Sequence, residues 1–85
     1  MNFWKSFSFI VEGETEKGNS YFITFKVVGQ SRNKAGDFLK STDEYREILN
    51  ASIDEIMDHG VNWRSSLFGD SPRILSISGR AFFDS

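Results

Sequence analysis

The chain has 85 residues, a formal net charge of −2, no cysteine, and an aromatic share of 15% that includes nine phenylalanines. That length predicts one domain, residues 1–85, with a modest core. The composition excludes disulfide staples, thiolate metal sites and cysteine nucleophiles, and neither a secretory leader pattern nor a bilayer-length apolar run occurs, so a cytoplasmic location without membrane contact is expected.

The first predicted element is a strand from about Phe3 to Glu12. Phe3, Phe7, Phe9 and Val11 fall on one face, and Trp4 and Ile10 on the other. A polar connection from Gly13 to Asn19 then reads as a hairpin loop. The second strand runs from about Ser20 to Gln30 and is rich in β-branched and aromatic residues. Tyr21, Ile23, Phe25 and Val27 share one of its faces, with Phe22 and Val28 opposite. Both strands therefore carry apolar residues on two faces. A single helix covers one side of a sheet, so the second face calls for a second copy, another partner or a flat ligand.

Ser31 to Lys40 holds turn-forming residues and no period, and is predicted to be a basic loop. Ser41 to His59 is predicted to be a long amphipathic helix. Ser41 and Glu44 make a capping-box pattern, and Gly60 stands as the stop. Tyr45, Ile48, Leu49, Ser52, Ile53, Ile56 and Met57 recur at three- and four-residue steps. Val61 to Ser71 has no clear period and reads as a loop that tucks in some of Trp63, Leu67 and Phe68. Pro72 opens a last strand from about Arg73 to Phe83, with Leu75, Ile77, Ala81 and Phe83 on one face and Ile74, Ser76, Ser78, Arg80 and Phe82 on the other.

The expected fold is α+β in the order β-β-α-β, a small antiparallel sheet with one long amphipathic helix packed on one face. Its core would join Phe7, Phe9, Val11, Ile23, Phe25, Leu75 and Ile77 to Ile48, Leu49, Ser52, Ile53 and Ile56, with Tyr45 and Met57 closing the ends.

Two surfaces are candidates for function. Six acids and one base lie between Ser41 and His59. On the predicted helix, Asp43, Glu47, Asp54 and Asp58 form an acidic face suited to a basic partner, in the sharpest form a mimic of nucleic-acid phosphates. The second sheet face is the other candidate, with Trp4, Phe22, Lys26, Arg80 and Phe82 as a dimer or ligand surface. Aromatics beside cations on an open sheet also suit single-stranded nucleic acid, the alternative reading, although no RNP1 pattern is present.

Catalysis has no comparable support. His59 is the lone histidine, and on a helix it would serve as a last-turn residue bonding orphan carbonyls. The carboxylates would lie on a solvated face without EF-hand spacing, and the Gly29–Gly36 stretch is not a Walker loop. No serine sits in a nucleophile elbow. The expected function is that of a non-enzymatic interaction protein, a regulator or inhibitor that forms a homo-oligomer and binds a protein partner, with no metal and no cofactor.

Overall fold

The computed structural model describes residues 3–68 and 72–83. The chain forms an α+β fold, a small antiparallel sheet with short helices. Strand β1 spans Lys5–Glu14 and β2 spans Ser20–Gly29. They form a hairpin in unbroken register, from Lys5 opposite Gly29 to Glu14 opposite Ser20. Helix α1 is Arg32–Ser41, α2 is Asp43–Arg46, β3 is Leu49–Val61, α3 is Trp63–Phe68, β4 is Arg73–Ile77 and β5 is Ala81–Phe82. The sheet order is β3-β1-β2-β4, with β5 also pairing to β2. The hairpin is thus the centre of the sheet, and β3 and β4 are its edges.

The predicted long helix is not there. Ser41 to His59 is the end of α1, the one-turn α2, and most of β3. The reason lies in how β3 pairs with β1. Thirteen residues of β3 lie along ten of β1, and the register shifts at three places. Each shift is an extra residue on β3, a β-bulge, which moves the next side chain to the opposite face. Ile53 stands opposite Val11 and Ile56 opposite Phe9, so residues three apart share the core face. Strand bulges here reproduce the spacing of a helix. Two of the three shifts contain a left-handed residue, Asn50 at φ 54° and Gly60 at φ 84°. Gly60 serves that backbone geometry and does not stop a helix.

The predicted basic loop is instead α1. Ser31 caps it, its hydroxyl accepting from the Lys34 N–H at 3.2 Å. Ala35, Phe38 and Leu39 fall at helical spacing and turn toward the sheet, with Ala35 and Leu39 fully buried. The approach is close. A Cβ on Gly29 would lie 2.8 Å from the Ala35 Cβ, so only glycine lets α1 settle on β2 there. Thr42 makes the corner to α2, donating to the Leu39 carbonyl at 2.7 Å and accepting from the Tyr45 N–H at 3.3 Å. The cap of α2 is thus Thr42, where Ser41 was expected; the Ser41 hydroxyl donates to the Phe38 carbonyl. Partial burial beside the core raises the pKa of the Tyr45 phenol.

The core joins Phe7, Phe9, Val11, Phe25 and Val27 to Ala35 and Leu39, with Ile48, Ala51, Ile53, Ile56 and Ile74 packed around it. Leu49, Ser52, Leu75 and Ile77, expected inside, are exposed. On the opposite face Val28 and Ser6 are buried. The Asn62 amide donates to the Ser6 hydroxyl at 3.0 Å, and the Trp4 N–H donates to Ser66 Oγ at 2.8 Å, tying α3 to this end of β1. Trp63 and Leu67 of α3 are exposed and not tucked in, and the Phe68 side chain and residues 69–71 lie outside the described residues. No helix among the described residues is long and apolar enough to cross a membrane.

Candidate interaction surface

The predicted last strand, Arg73 to Phe83, is divided. Strand β4 pairs with β2 from Phe25 opposite Ile77 to Val28 opposite Arg73, with a shift at Leu75. The chain then leaves the ladder. The Ser78 hydroxyl accepts from the Thr24 N–H at 2.8 Å, and the Ser78 N–H donates to the Thr24 carbonyl at 2.9 Å. Strand β5 rejoins β2 with Phe82 opposite Tyr21 and Ala81 opposite Phe22.

These pairings settle where the expected sheet-face residues lie. The Leu75 bulge reverses the phase, so Ile74 and Ile77 stand opposite Val27 and Phe25 on the helix-bearing face. Phe82 is on that face too, its ring 5.7 Å from Tyr21, and the Arg80 guanidinium lies 4.6 Å from the Tyr21 ring centroid. Phe22 and Lys26 occupy the opposite face, where Phe83 packs on Phe22 at 4.6 Å. Trp4 precedes β1 and is held by its backbone to Asn62 and Ser66. The five residues Trp4, Phe22, Lys26, Arg80 and Phe82 therefore do not form one surface. Two of them, Arg80 and Phe82, join a different set at the β4–β5 side of the sheet.

That set is apolar and open. Leu75 is 37% exposed, Ile77 43%, Phe82 53% and Phe83 46%. No charged residue occurs between Arg73 and Arg80. Phe82 and Phe83 straddle the edge, one aromatic against each face of β2. The readable sign of this surface in the sequence is the uncharged run Ile74–Gly79, alternating apolar residues with serine and bounded by arginines.

The acidic row is also dispersed. Asp43 is in the first turn of α2 and Glu47 caps its other end, whereas Asp54 and Asp58 belong to β3. There is no helix face for the four to share. Asp58 takes a salt bridge from Lys5 and a hydrogen bond from the Gly60 N–H at 2.8 Å. The Lys5 bond first, then the Gly60 bond, holds its carboxyl below the ordinary carboxylate range.

His59, expected at a helix end, stands in β3 with Nε2 2.6 Å from the Ser8 hydroxyl. A hydroxyl bonded to an imidazole is the first half of a nucleophile and base pair. The neighbouring carboxylate, Asp58, is bonded to Lys5, which lies three residues from Ser8 on the unbroken strand β1 and so on its opposite face. The imidazole thus has no carboxylate to orient it among the described residues. Nor do three or more His, Asp or Glu side chains converge there as metal ligands.

Comparison with family models, with curated proteins and with solved structures finds no match for this chain.

Proposed function

We propose that the protein is a non-enzymatic interaction protein that associates through the β4–β5 side of its sheet, with a second copy of the chain as the first occupant. The observation that carries this reading is the exposure of Leu75, Ile77, Phe82 and Phe83 along an edge whose run from Ile74 to Gly79 is uncharged and whose only charges are the flanking Arg73 and Arg80. Exposed apolar patches of this kind mark interfaces, and unprotected sheet edges are templates for pairing. Two copies meeting edge to edge about a two-fold axis would join the sheets and cover Leu75, Ile77, Phe82 and Phe83 of each, and two-fold contacts are the commonest way identical chains assemble. A molecule that works by covering surface, without turnover, acts as a regulator or inhibitor of what it covers.

The nucleic-acid alternative has less support. Phe22 and Lys26 share a face, but Glu12 is directly opposite Phe22, and Glu55 is opposite Ile10. Those carboxylates oppose a phosphate backbone on the face that would have to carry it.

Light scattering at micromolar concentration tests the proposal. The expected mass is that of two copies, falling to one in the double variant Ile77→Lys, Phe82→Lys while the far-ultraviolet circular dichroism is unchanged. A wild-type protein that stays monomeric at every accessible concentration overturns it.

A further inference from the structure

Helix α1 covers only part of the sheet. Its Ala35 rests on Gly29 of β2, and Gly36 lies over Phe9 of β1. Four strands at about 4.8 Å spacing span roughly 14 Å between the outer strand axes, whereas one helix with its side chains is about 10 Å across. The strip over β3 is left open. A groove of about 480 Å³ runs there, floored by Ile53 and Ile56 and walled by α1. Both isoleucines face the core yet remain only partly buried.

The helix wall has a definite chemistry. Arg32, Gly36 and Lys40 recur at four-residue steps along it, with Asp37 between. The two cations are separated by about 12 Å along the axis at 1.5 Å per residue. Neither makes a hydrogen bond or ion pair among the described residues; Arg32 feels only the longer-range attraction of Asp58. Gly36 leaves the middle of the wall without a side chain, which deepens the groove over Ile53 and Ile56. A Cβ there would meet Phe9 at an ordinary 3.6 Å, so packing does not demand glycine. Glycine in a helix interior is costly relative to alanine, and here it keeps a space open.

We infer that the groove between α1 and β3 is a docking slot for an amphipathic helix of a partner protein, apolar toward Ile53 and Ile56 and acidic toward Arg32 and Lys40. A helix is the fitting occupant because β3 cannot offer a regular ladder. The bulge between Ile53 and Glu55 interrupts its free edge beside the groove, so an added extended strand would leave backbone groups unpaired. A helix satisfies its own backbone and brings only side chains. It would complete the layer that α1 begins. The matching pattern is a pair of acids two turns apart, with apolar residues on the intervening turn turned toward the floor.

The test uses two fluorescein-labelled, lactam-stapled helical peptides of about four turns. Both carry the same leucine stripe; one flanks it with two glutamates two turns apart, the other with two lysines. Fluorescence anisotropy with the full chain should show the acidic helix binding roughly tenfold tighter or more at low salt, with the preference shrinking as salt rises. Gly36→Gln, which fills the groove, should abolish binding; Gly36→Ala, which does not, should retain most of it and serves as the folding control. The double variant Arg32→Glu, Lys40→Glu should invert the preference. Equal binding of the two peptides, no binding of the acidic one, or undiminished binding by a folded Gly36→Gln variant overturns the inference. Loss of the dimer in Gly36→Gln would assign the groove to a second copy and overturn it equally. The dimer variant Ile77→Lys, Phe82→Lys should still bind the acidic helix, which separates this site from the β4–β5 edge.

Discussion

The two edges of this sheet are built in opposite ways. The β3 edge is long, 13 residues, interrupted by three bulges, and carries Asp54, Glu55 and Asp58. The β4–β5 edge is short and broken in the middle, and it is lined by exposed Leu75, Ile77, Phe82 and Phe83 with no charge from Ile74 to Gly79. Bulges and charges are the means by which sheet proteins stop strangers from pairing with an open strand. One edge has both, and the other has a single bulge and only Arg73 and Arg80 at the two ends of an uncharged run. A long edge is the greater aggregation hazard, so it is the one that is blunted. The short edge leaves its apolar side chains accessible, which is what an interface requires.

Four substitutions would break or sharpen that contrast. The largest effect is expected where β3 meets the hairpin. Phe9 is fully buried between Ile56 and Phe25, and Phe9→Ala should cost about 3–5 kcal/mol, enough to unfold much of a domain this small. By comparison Ile77→Ala at the exposed edge should cost under about 1.5 kcal/mol, because much of its surface is already in water. Thermal denaturation of the two variants makes the comparison; equal losses would show that the β4 edge is core and not interface.

A smaller effect is expected at the bulges that blunt β3. Gly60 has φ 84° and nothing within 4 Å of where a Cβ would stand, so Gly60→Val carries backbone strain without a clash. The expected loss is about 1–3 kcal/mol in urea unfolding. If the valine variant is as stable as the wild type, the left-handed bulge is not what shapes this end of β3.

The smallest effect is electrostatic. The folded-state pKa of Asp58 lies below its unfolded value, because Lys5 and the Gly60 N–H bond the charged carboxylate. The unfolded chain therefore binds the proton more readily. The stabilisation is present above the unfolded pKa, about 4, and is lost as pH falls through the lower folded value. Lys5→Met should move the Asp58 midpoint up toward the ordinary range, read by carbon NMR of the carboxyl, and flatten the acid limb of the stability curve. The carboxylate is exposed, so salt should reduce the difference between the two proteins. An unchanged midpoint would show that Lys5 does not hold it.

Much of the hairpin was legible. Phe7, Phe9, Val11, Phe25 and Val27 keep a strict two-residue period because β1 and β2 pair without a bulge, and the core is where that period places it. The helix at Arg32–Ser41 escaped because only Ala35, Phe38 and Leu39 turn inward, and Gly36, Asn33 and Asp37 look like turn residues until one sees the sheet they lie against. The stretch after Thr42 shows the converse, a helical spacing carried by a strand. Apolar residues at three-residue steps are a helix only if the backbone is regular, and β3 is not. Of the surface residues, Arg80 and Phe82 do stand at an exposed site, but on the face opposite to the expected one, because the bulge at Leu75 and the break at Ser78–Arg80 reset the alternation.

The sequence by itself determined the fold class, the antiparallel hairpin and the hydrophobic residues that fill its centre, since each follows from local period and composition. Which face each edge residue takes, whether Ile53 and Ile56 belong to a helix or a strand, and where α1 stops covering the sheet were decided by tertiary structure. The physical reason is that a bulge is a property of two strands. One residue more on β3 than on β1 changes every side chain beyond it, and that extra residue is defined only when the two strands are paired.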